Sequence, residues 1–125
     1  MDIIKAINLK KYYTSDTYEV RALDGVSLTV EEGEFIAVVG TSGCGKTTLM
    51  NILGGLDIPD FGGVWIRNTS LKDLNKEERT IFRRRNIGFV FQQYNLIPSL
   101  SIRENIVLPM RLDGKEIDID FFNEI

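Results

Sequence analysis

A glycine-rich segment contains the residues of this chain whose types and spacing could do chemistry. Residues 40–47 read GTSGCGKT and fit the pattern G-x-x-x-x-G-K-[ST]. Glycine adopts positive φ and approaches a ligand closely because it has no Cβ, and we expect this of Gly40, Gly43 and Gly45. Successive N–H groups, with the N-terminus of a following helix, form a concave anion site. The segment therefore predicts a site for a polyphosphate.

Two side chains of the segment add specific chemistry. Lys46 would place a point charge against the terminal phosphates, and the Thr47 hydroxyl would ligate a Mg²⁺ that bridges phosphate oxygens. A simple glycine-rich turn is the alternative, but a chance match to the whole pattern is expected in on the order of one chain in hundreds. The predicted nucleotide-binding residues here are Gly40, Thr41, Ser42, Gly43, Cys44, Gly45, Lys46, Thr47 and Thr48.

The elements on either side must position this segment. Residues 35–39 form a continuous apolar run, FIAVV, which predicts a strand buried on both faces of a parallel sheet. Residues 48–53 predict a helix, and Gly54 and Gly55 are expected to end it. A second buried strand is predicted at residues 87–91. A strand, then a glycine-rich loop, then a helix is the context in which a phosphate-binding loop occurs.

The rest of the chain alternates between strand and helix patterns. Strands are predicted at residues 3–13, 20–30 and 64–66, with a turn at residues 14–19. A charged helix is predicted at residues 72–85, and another at residues 102–112, which Pro109 is expected to bend or end. A last helix begins near Asp118 or Asp120, either of which could cap it. The candidate inward residues of the charged helix are Leu74, Ile81 and Phe82.

Composition excludes several kinds of site. The chain has 125 residues, a formal net charge of -3, no histidine and one cysteine, Cys44. Histidine-dependent catalysis, histidine-ligated zinc and an intrachain disulfide are therefore excluded. No apolar run approaches the ~20 residues that a membrane-spanning helix needs, and the first residues do not resemble a secretory signal. These features predict a single cytosolic domain.

One expected element is missing downstream of the glycine-rich loop. P-loop hydrolases need a second apolar strand that ends in an acidic residue near the Mg²⁺. The run at residues 87–91 ends in glutamine, and Asp57 follows a helix and two glycines. Phe121, Phe122 and Ile125 lie on a helix that has barely begun. We therefore expect this chain to be the N-terminal part of a larger ATPase.

From residue 3 to residue 125 the chain resembles the N-terminal half of the ATP-binding subunit of an ABC transporter. Residues 40–47 match the Walker A loop of that family, and residues 87–93 (IGFVFQQ) match the strand that leads into its Q-loop. Within the family, the sequence at residues 55–57 and 91–96 most resembles the branch that serves lipoprotein release, macrolide export and antimicrobial-peptide resistance. Other matching segments are residues 22–28, 33–35 and 53–57, Pro59, Gly62, Glu104, Asn105, Leu108 and Pro109.

The resemblance implies an α/β fold: an incomplete P-loop NTPase core with an N-terminal antiparallel β subdomain of the ABC type. All of residues 1–125 would belong to one ATP-binding domain. Its antiparallel part would cover about residues 1–34 and 62–70, and its P-loop strand and helix residues 35–56. The Q-loop strand and the following segment would cover residues 86–112. The signature helical subdomain and the Walker B region would be absent.

The resemblance also assigns residue roles. Tyr13, nine residues before Ala22, matches the aromatic residue that stacks on adenine; Tyr12 is the neighbouring candidate, and packing on an edge strand is the alternative. Gln92 matches the Q-loop glutamine, whose side-chain oxygen reaches Mg²⁺ and the attacking water, although an ordinary polar residue could also end this strand. Lys46 and Gln92 would be the catalytic residues, and Thr47 and Gln92 the metal ligands.

The partners and cofactors follow from the same resemblance. ATP and Mg²⁺ would bind, a second ATP-binding subunit would pair head to tail, and a transmembrane permease would dock on the apolar residues 94–101 unless these are buried in the domain. The protein would be cytoplasmic and peripheral on the inner face of the cell membrane, which it would contact only through the permease. Arg83, Arg84 and Arg85 are predicted to lie on a solvated helix face, with some of the charges pairing locally with nearby acidic residues, and not to form a nucleic-acid site.

The activity implied for the whole protein is ATP hydrolysis that drives substrate movement through the permease. This chain has neither the Walker B acid nor the switch histidine of the family, so we expect it to bind nucleotide without steady hydrolysis. The alternatives are a soluble ABC-type ATPase, which long inserts would favour, and a non-catalytic nucleotide-binding fragment.

Overall fold

The computed structural model describes all 125 residues and contains four strands and four helices. By contacts between residues the chain divides into two compact units, Met1–Arg79 and Thr80–Ile125. None of the helices has the length and apolar character needed to cross a membrane. The elements are β1 (Asp2–Thr14), β2 (Glu19–Glu31), α1 (Lys46–Leu53), β3 (Phe61–Ile66), β4 (Thr69–Ser70), α2 (Lys76–Asn86), α3 (Ile102–Leu112) and α4 (Ile119–Glu124).

The first unit is built on an antiparallel sheet with the strand order β2-β1-β3-β4. β1 and β2 form a long hairpin in which Tyr13 lies opposite Val20, and β3 pairs with the other edge of β1. Gly62 in β3 has φ +84, and a Cβ there would overlap the carbonyl oxygens of Ile7 and Asn8, so only glycine fits. β1 and β2 extend one residue beyond each end of the strands predicted at residues 3–13 and 20–30, whereas β3 begins three residues before the predicted 64–66 and β4 is not predicted.

The core of this unit lies between the sheet and α1. α1 buries Leu49 and Ile52, three residues apart and therefore on one face of the helix. Gly54 forms the C-cap, as the sequence predicts, while the helix begins at Lys46, two residues before the predicted start. The other buried apolar residues of the unit are Ala6, Leu9, Leu23, Val64, Ile66 and Leu71.

Two predicted buried strands do not form. Residues 34–41 have no regular structure, and Phe35 and Val39 are 96% and 86% exposed. Residues 87–91 are likewise irregular, and Val90 is 98% exposed. A strand exists only when a neighbour accepts its backbone hydrogen bonds. The four strands present all pair within the antiparallel sheet, so these runs have the residue types of a strand without its partners.

Capping side chains set the helix boundaries. α2 begins at Lys76, later than predicted, because Asn75 accepts a hydrogen bond from the N–H of Glu78 and Glu78 accepts one from the N–H of Asn75. Leu74, Ile81 and Phe82 are half-buried. Ser101 and Glu104 form the same reciprocal box before α3, whose bounds match the prediction. Pro109 does not end α3, which continues to Leu112, and Asp118 caps α4.

Candidate nucleotide-binding site

The glycine-rich loop joins the irregular residues 34–41 to α1. Gly43 has φ +78 and Gly45, the N-cap of α1, has φ +101, as predicted. The prediction is wrong for Gly40, which does not have positive φ. A Cβ at this position would lie 2.6 Å from the Sγ of Cys44, so the Cys44 side chain would have to move to make room for it.

Gly45 also fixes the loop against the sheet. A Cβ at this position would overlap the carbonyl oxygen of Ala22 in β2 and would lie 3.4 Å from the side chain of the buried Leu23. The close approach is possible only for glycine. The loop therefore rests directly on the backbone of β2.

The loop presents free donors. The first hydrogen bond of α1 runs from the N–H of Leu49 to the carbonyl oxygen of Gly45, 2.9 Å away. Within the loop, the N–H of Cys44 donates to the carbonyl oxygen of Thr41 at 3.3 Å. The other N–H groups, from Gly43 through Thr48, donate to no acceptor of the protein. Free amides at a helix N-terminus attract an anion, because the helix dipole adds partial positive charge there.

Lys46 lies across the loop. Its Nζ donates to the carbonyl oxygens of Gly40 and Thr41, at 2.8 and 2.7 Å, and lies 3.6 Å from the Sγ of Cys44. The ammonium group thus bridges the start of the loop to its end. This position brings a positive charge beside the free amides, so a negatively charged ligand would meet both.

The hydroxyl-bearing residues of the loop differ in exposure. Thr41, Ser42 and Thr47 are exposed, whereas Thr48 is half-buried. The Thr47 hydroxyl, in the first turn of α1, makes no hydrogen bond within the protein. A single hydroxyl suits Mg²⁺, which binds few protein groups and takes its other ligands from substrate phosphates and water. Gln92, the other predicted ligand, is exposed in the second unit.

The two candidate stacking residues have different surroundings. Tyr12 donates a hydrogen bond to Asp24, which raises the pKa of Tyr12, and its ring lies near Phe61 and the guanidinium group of Arg21. Tyr13 is more exposed, with its ring centroid 5.7 Å from the Nζ of Lys11. Tyr13 is therefore the tyrosine whose ring is less engaged by the protein.

A polar network links the loop after α1 to β1, and no motif in the sequence predicts it. The Nζ of Lys11 donates to the carbonyl oxygen of Ile58 at 2.9 Å and to Asp57 at 3.3 Å. Asp60 accepts a hydrogen bond from the N–H of Tyr12 at 2.7 Å. This network holds the backbone of Tyr12, the residue before Tyr13. The sequence shows only a pair of acidic residues in a loop that contains proline and glycine. This pattern does not indicate which residues the two carboxylates contact.

The second unit contains a carboxylate that is surrounded by three basic side chains. Asp113, just after α3, has a side chain only 4% exposed and accepts hydrogen bonds from the Nε atoms of Arg84 and Arg85, at 3.2 and 2.8 Å. The Nζ of Lys115 lies 3.2 Å away. The hydrogen bond from Arg85, followed by the Lys115 contact, lowers the pKa of Asp113 to about 2. Two of the predicted solvated arginines therefore tie α2 to the end of α3.

The apolar segment before α3 lies at the surface of the second unit. Tyr94, Leu96 and Ile97 are exposed, so this segment is not buried within the unit. The side-chain amide of Asn105 donates to the carbonyl oxygens of Ile97 and Leu100 and holds the segment against the start of α3.

Comparison with known proteins identifies the same family along most of the chain. A family model described as "ABC transporter" matches residues 23–124. A macrolide export ATP-binding/permease protein MacB from Hyphomonas neptunium is 50% identical over 107 residues, which are 86% of this chain and 17% of that protein. A lipoprotein-releasing system ATP-binding protein LolD from Saccharophagus degradans is 42% identical over 112 residues, which are 90% of this chain and 49% of that protein.

The fold agrees with solved relatives. A dimeric structure of the ATP-binding cassette MJ0796 bound to ADP and Pi matches with a TM-score of 0.86 and 44% identity, over 91% of this chain and 49% of that chain. MJ0796 is a protein of Methanocaldococcus jannaschii. The chain thus spans about half the length of the ATP-binding proteins it matches. The predicted fold class is confirmed, as is the predicted resemblance to the branch that contains lipoprotein-release and macrolide-export proteins.

Proposed function

The chain belongs to the ABC transporter family, and from that membership we propose that it is the nucleotide-holding half of an ATP-binding cassette that energises a membrane permease. The relatives are ATP-binding proteins of transporters, which favours this role over that of a soluble ATPase. The observation that carries the proposal is the loop from Gly40 to Thr48. In this short loop, free backbone amides, the N-terminus of α1 and the ammonium group of Lys46 lie together.

The β- and γ-phosphates of ATP would bind in this loop. The free amides of Gly43, Gly45, Lys46 and Thr47 would donate to phosphate oxygens. The Nζ of Lys46 would exchange the carbonyl oxygens of Gly40 and Thr41 for the phosphates. The gain is electrostatic: a carbonyl oxygen carries partial charge, whereas a phosphate oxygen carries a formal one. Thr47 would contribute its hydroxyl to Mg²⁺, and Gln92 its side-chain oxygen. The bound metal would neutralise part of the phosphate charge.

The adenine would stack on Tyr13. Stacking needs only a flat π face, and the ring of Tyr13 is the more exposed of the two tyrosine rings. The network of Lys11, Asp57 and Asp60 supports this role, since it fixes the backbone of the residue before Tyr13. Recognition by stacking alone predicts similar affinity for ATP and GTP.

Two further partners complete the proposed role. A second cassette would close over the nucleotide head to tail, in keeping with the dimeric state of the solved relative. A permease would dock on the apolar segment at residues 94–101, where Tyr94, Leu96 and Ile97 are exposed, and would hold the protein at the inner face of the cell membrane. The chain by itself would bind nucleotide without steady turnover.

Titration with a fluorescent ATP analogue, with and without Mg²⁺, tests the proposal. We expect saturable binding that Mg²⁺ tightens and that unlabelled ATP and GTP displace at similar concentrations. Lys46→Ala should weaken binding at least tenfold, because it removes the charge beside the phosphates. Lys72→Ala is the matched control, since Lys72 is an exposed lysine of the same unit outside the loop.

Two results would contradict the proposal. Binding that is equal in the Lys46→Ala variant and the parent chain would show that the loop does not hold the phosphates. Steady ATP hydrolysis by the pure chain, lost in the Lys46→Ala variant, would show that the chain is a complete catalyst and not half of one.

A further inference from the structure

Lys11 is a lysine of β1 whose ammonium group is held by the protein instead of extending into solvent. Its side chain is 15% exposed, whereas a lysine usually keeps its charged end in water. The Nζ donates hydrogen bonds to the carbonyl oxygen of Ile58 at 2.9 Å and to the Oδ1 of Asp57 at 3.3 Å. A carboxylate oxygen of Asp60 lies 3.9 Å away. Because burial of an ammonium group is costly without such partners, these contacts fix the position of the Nζ.

The same ammonium group lies over the ring of Tyr13, the proposed stacking residue. The Nζ of Lys11 is 5.7 Å from the ring centroid, inside the limit of about 6 Å at which the face of an aromatic ring attracts a cation. The hydroxyl oxygen of Tyr13 is 3.5 Å from the Oδ2 of Asp57, the residue that also holds Lys11. The ring is thus contacted at one face and at its hydroxyl end. It is still 46% exposed, which leaves surface for a base.

Asp57 belongs to the loop that follows α1, and this loop is hydrogen-bonded to the helix. The N–H groups of Leu56 and Asp57 both donate to the carbonyl oxygen of Asn51, at 2.8 and 3.2 Å. The helix carries the phosphate loop at its N-terminus. A continuous set of contacts therefore runs from the phosphate loop along α1 to Asp57, and from Asp57 through Lys11 to the ring of Tyr13.

We propose that Lys11 is a positioning residue of the nucleotide site, which holds the ring of Tyr13 where a base stacks while the phosphate loop binds the phosphates. The inference rests on the function proposed above. A ring that is fixed before the ligand arrives loses less conformational entropy on binding, so affinity rises without any contact between Lys11 and the nucleotide. Side chains that orient a binding residue in this way act through its geometry.

Only ligands that contain a base should respond to a change at Lys11. ATP would use both the ring and the phosphate loop, whereas inorganic tripolyphosphate has no base and would use the loop alone. Lys11→Met keeps most of the side-chain length and removes the charge and the hydrogen bonds. We expect it to weaken ATP binding at least fivefold and to change tripolyphosphate binding less than twofold. Isothermal titration calorimetry with each ligand, in the presence of Mg²⁺, measures the two affinities.

Lys10→Met is the matched control. Lys10 precedes Lys11 in β1 and is likewise half-buried, but successive side chains of a strand point to opposite faces. The ion pairs with Asp57 and Asp60 both come from Lys11. Lys10→Met should therefore leave both affinities within twofold of those of the parent chain. Lys11→Arg keeps the positive charge and should bring ATP binding back to within threefold of the parent value.

A double-mutant cycle with Tyr13 tests whether Lys11 acts through the ring. Tyr13→Ala removes the stacking surface, so the addition of Lys11→Met should weaken ATP binding less than twofold further. Asp57→Asn removes the negative charge that holds Lys11 but keeps an oxygen acceptor, and it tests the same contact if Lys11→Met does not fold. We expect Asp57→Asn to weaken ATP binding at least threefold and to change tripolyphosphate binding less than twofold.

The outcomes separate this inference from the proposed function. If Tyr13→Ala weakens ATP binding while Lys11→Met and Asp57→Asn bind ATP like the parent chain, the inference alone is overturned. Equal losses for ATP and tripolyphosphate in Lys11→Met would also overturn it, because they would show a general effect on the fold. A parent chain that binds neither ligand would overturn the proposed function as well. A loss confined to ATP, absent when Tyr13 is alanine and reversed by Lys11→Arg, would support the inference.

Discussion

Gly45 combines two constraints that are separable by experiment. Its φ of +101 is unfavourable for any residue with a Cβ, and its Cβ would overlap the carbonyl oxygen of Ala22. Gly33 has φ +82 but no atom near its Cβ position, so Gly33→Ala measures the backbone strain alone. We expect Gly33→Ala to lower the free energy of unfolding by about 1 kcal/mol, as a left-handed backbone does for alanine.

Gly45→Ala should lower the free energy of unfolding by at least about 1 kcal/mol more than Gly33→Ala does, because the overlap adds to the strain. It should also weaken nucleotide binding, since the loop must move off β2. Urea denaturation of the two variants and the parent chain measures the difference. Equal losses in the two variants would mean that the contact with Ala22 relaxes at no cost.

Cys44 offers a chemical probe of the same loop. Its thiol is exposed, and its Sγ lies 3.6 Å from the Nζ of Lys46. We expect N-ethylmaleimide to modify Cys44 and abolish binding of the ATP analogue, because the added group fills the space that the phosphates need. ATP should protect the thiol. Cys44→Ser should bind nucleotide and should not respond to the reagent, while equal labelling with and without ATP would be evidence against the predicted site.

At the scale of the helices and strands, prediction succeeds where the determinants are local. α3 has the bounds that the sequence predicts. Its start is set by a capping box between Ser101 and Glu104, which are only three positions apart. α1 ends at Gly54 for a similarly local reason. The phosphate loop is also local, so its residues could be identified directly. The network of Lys11 with Asp57 could not, since its members are 46 positions apart in the sequence and carry no motif.

Prediction fails where an element depends on distant partners. The runs at residues 35–39 and 87–91 have apolar residues at every position but one, which is the pattern of a strand buried on both faces. Apolar residue types indicate that a strand would be stable in buried surroundings. They do not indicate whether the neighbouring strands that would pair with it are present. The exposure of Phe35 and Val90 follows from that difference.

The stability of the contact between α2 and the end of α3 should depend on pH, because Asp113 ionises. Its pKa in the folded chain is lowered to about 2 from an ordinary value of 3.8, chiefly by the hydrogen bond from Arg85. The group therefore stabilises the fold fully above about pH 4, and this contribution is lost as the pH falls through about 2. Unfolding followed between pH 5 and pH 2 should show the loss.

Asp113→Asn serves as the control for this pH dependence. The amide cannot ionise, so the variant should be less stable than the parent chain at pH 5 and should converge with it towards pH 2. A parent chain and variant that lose stability in parallel over this range would show that Asp113 does not titrate as the structure indicates.

For the molecule as a whole, the exposed apolar surface should be measurable in solution. The dye 1-anilinonaphthalene-8-sulfonate fluoresces on accessible apolar surface. We expect the native chain to bind it near neutral pH, and we expect replacement of Phe35, Val39 and Val90 by serine to reduce the emission by at least half. These three side chains are the most exposed large apolar residues of the two irregular runs.

The serine variant should keep the far-ultraviolet circular dichroism of the parent chain, because none of the three positions lies in a helix or strand. Emission that does not change would show that the dye binds elsewhere and not on the two irregular runs. The full-length MJ0796 cassette is a natural comparison, since this chain matches only 49% of it.

The contact between Gly45 and β2 also links the phosphate loop to the hairpin. Tyr13 on β1 lies opposite Val20, and Ala22, which touches the phosphate loop, is two positions further along β2. Ala22 has no partner on β1, because Tyr12 lies opposite Arg21 and Lys11 lies opposite Leu23, so the contact with the phosphate loop is made at a bulge in the hairpin. A change of one residue at this bulge would therefore shift the phosphate loop relative to Tyr13, and a nucleotide held at both ends should bind less well.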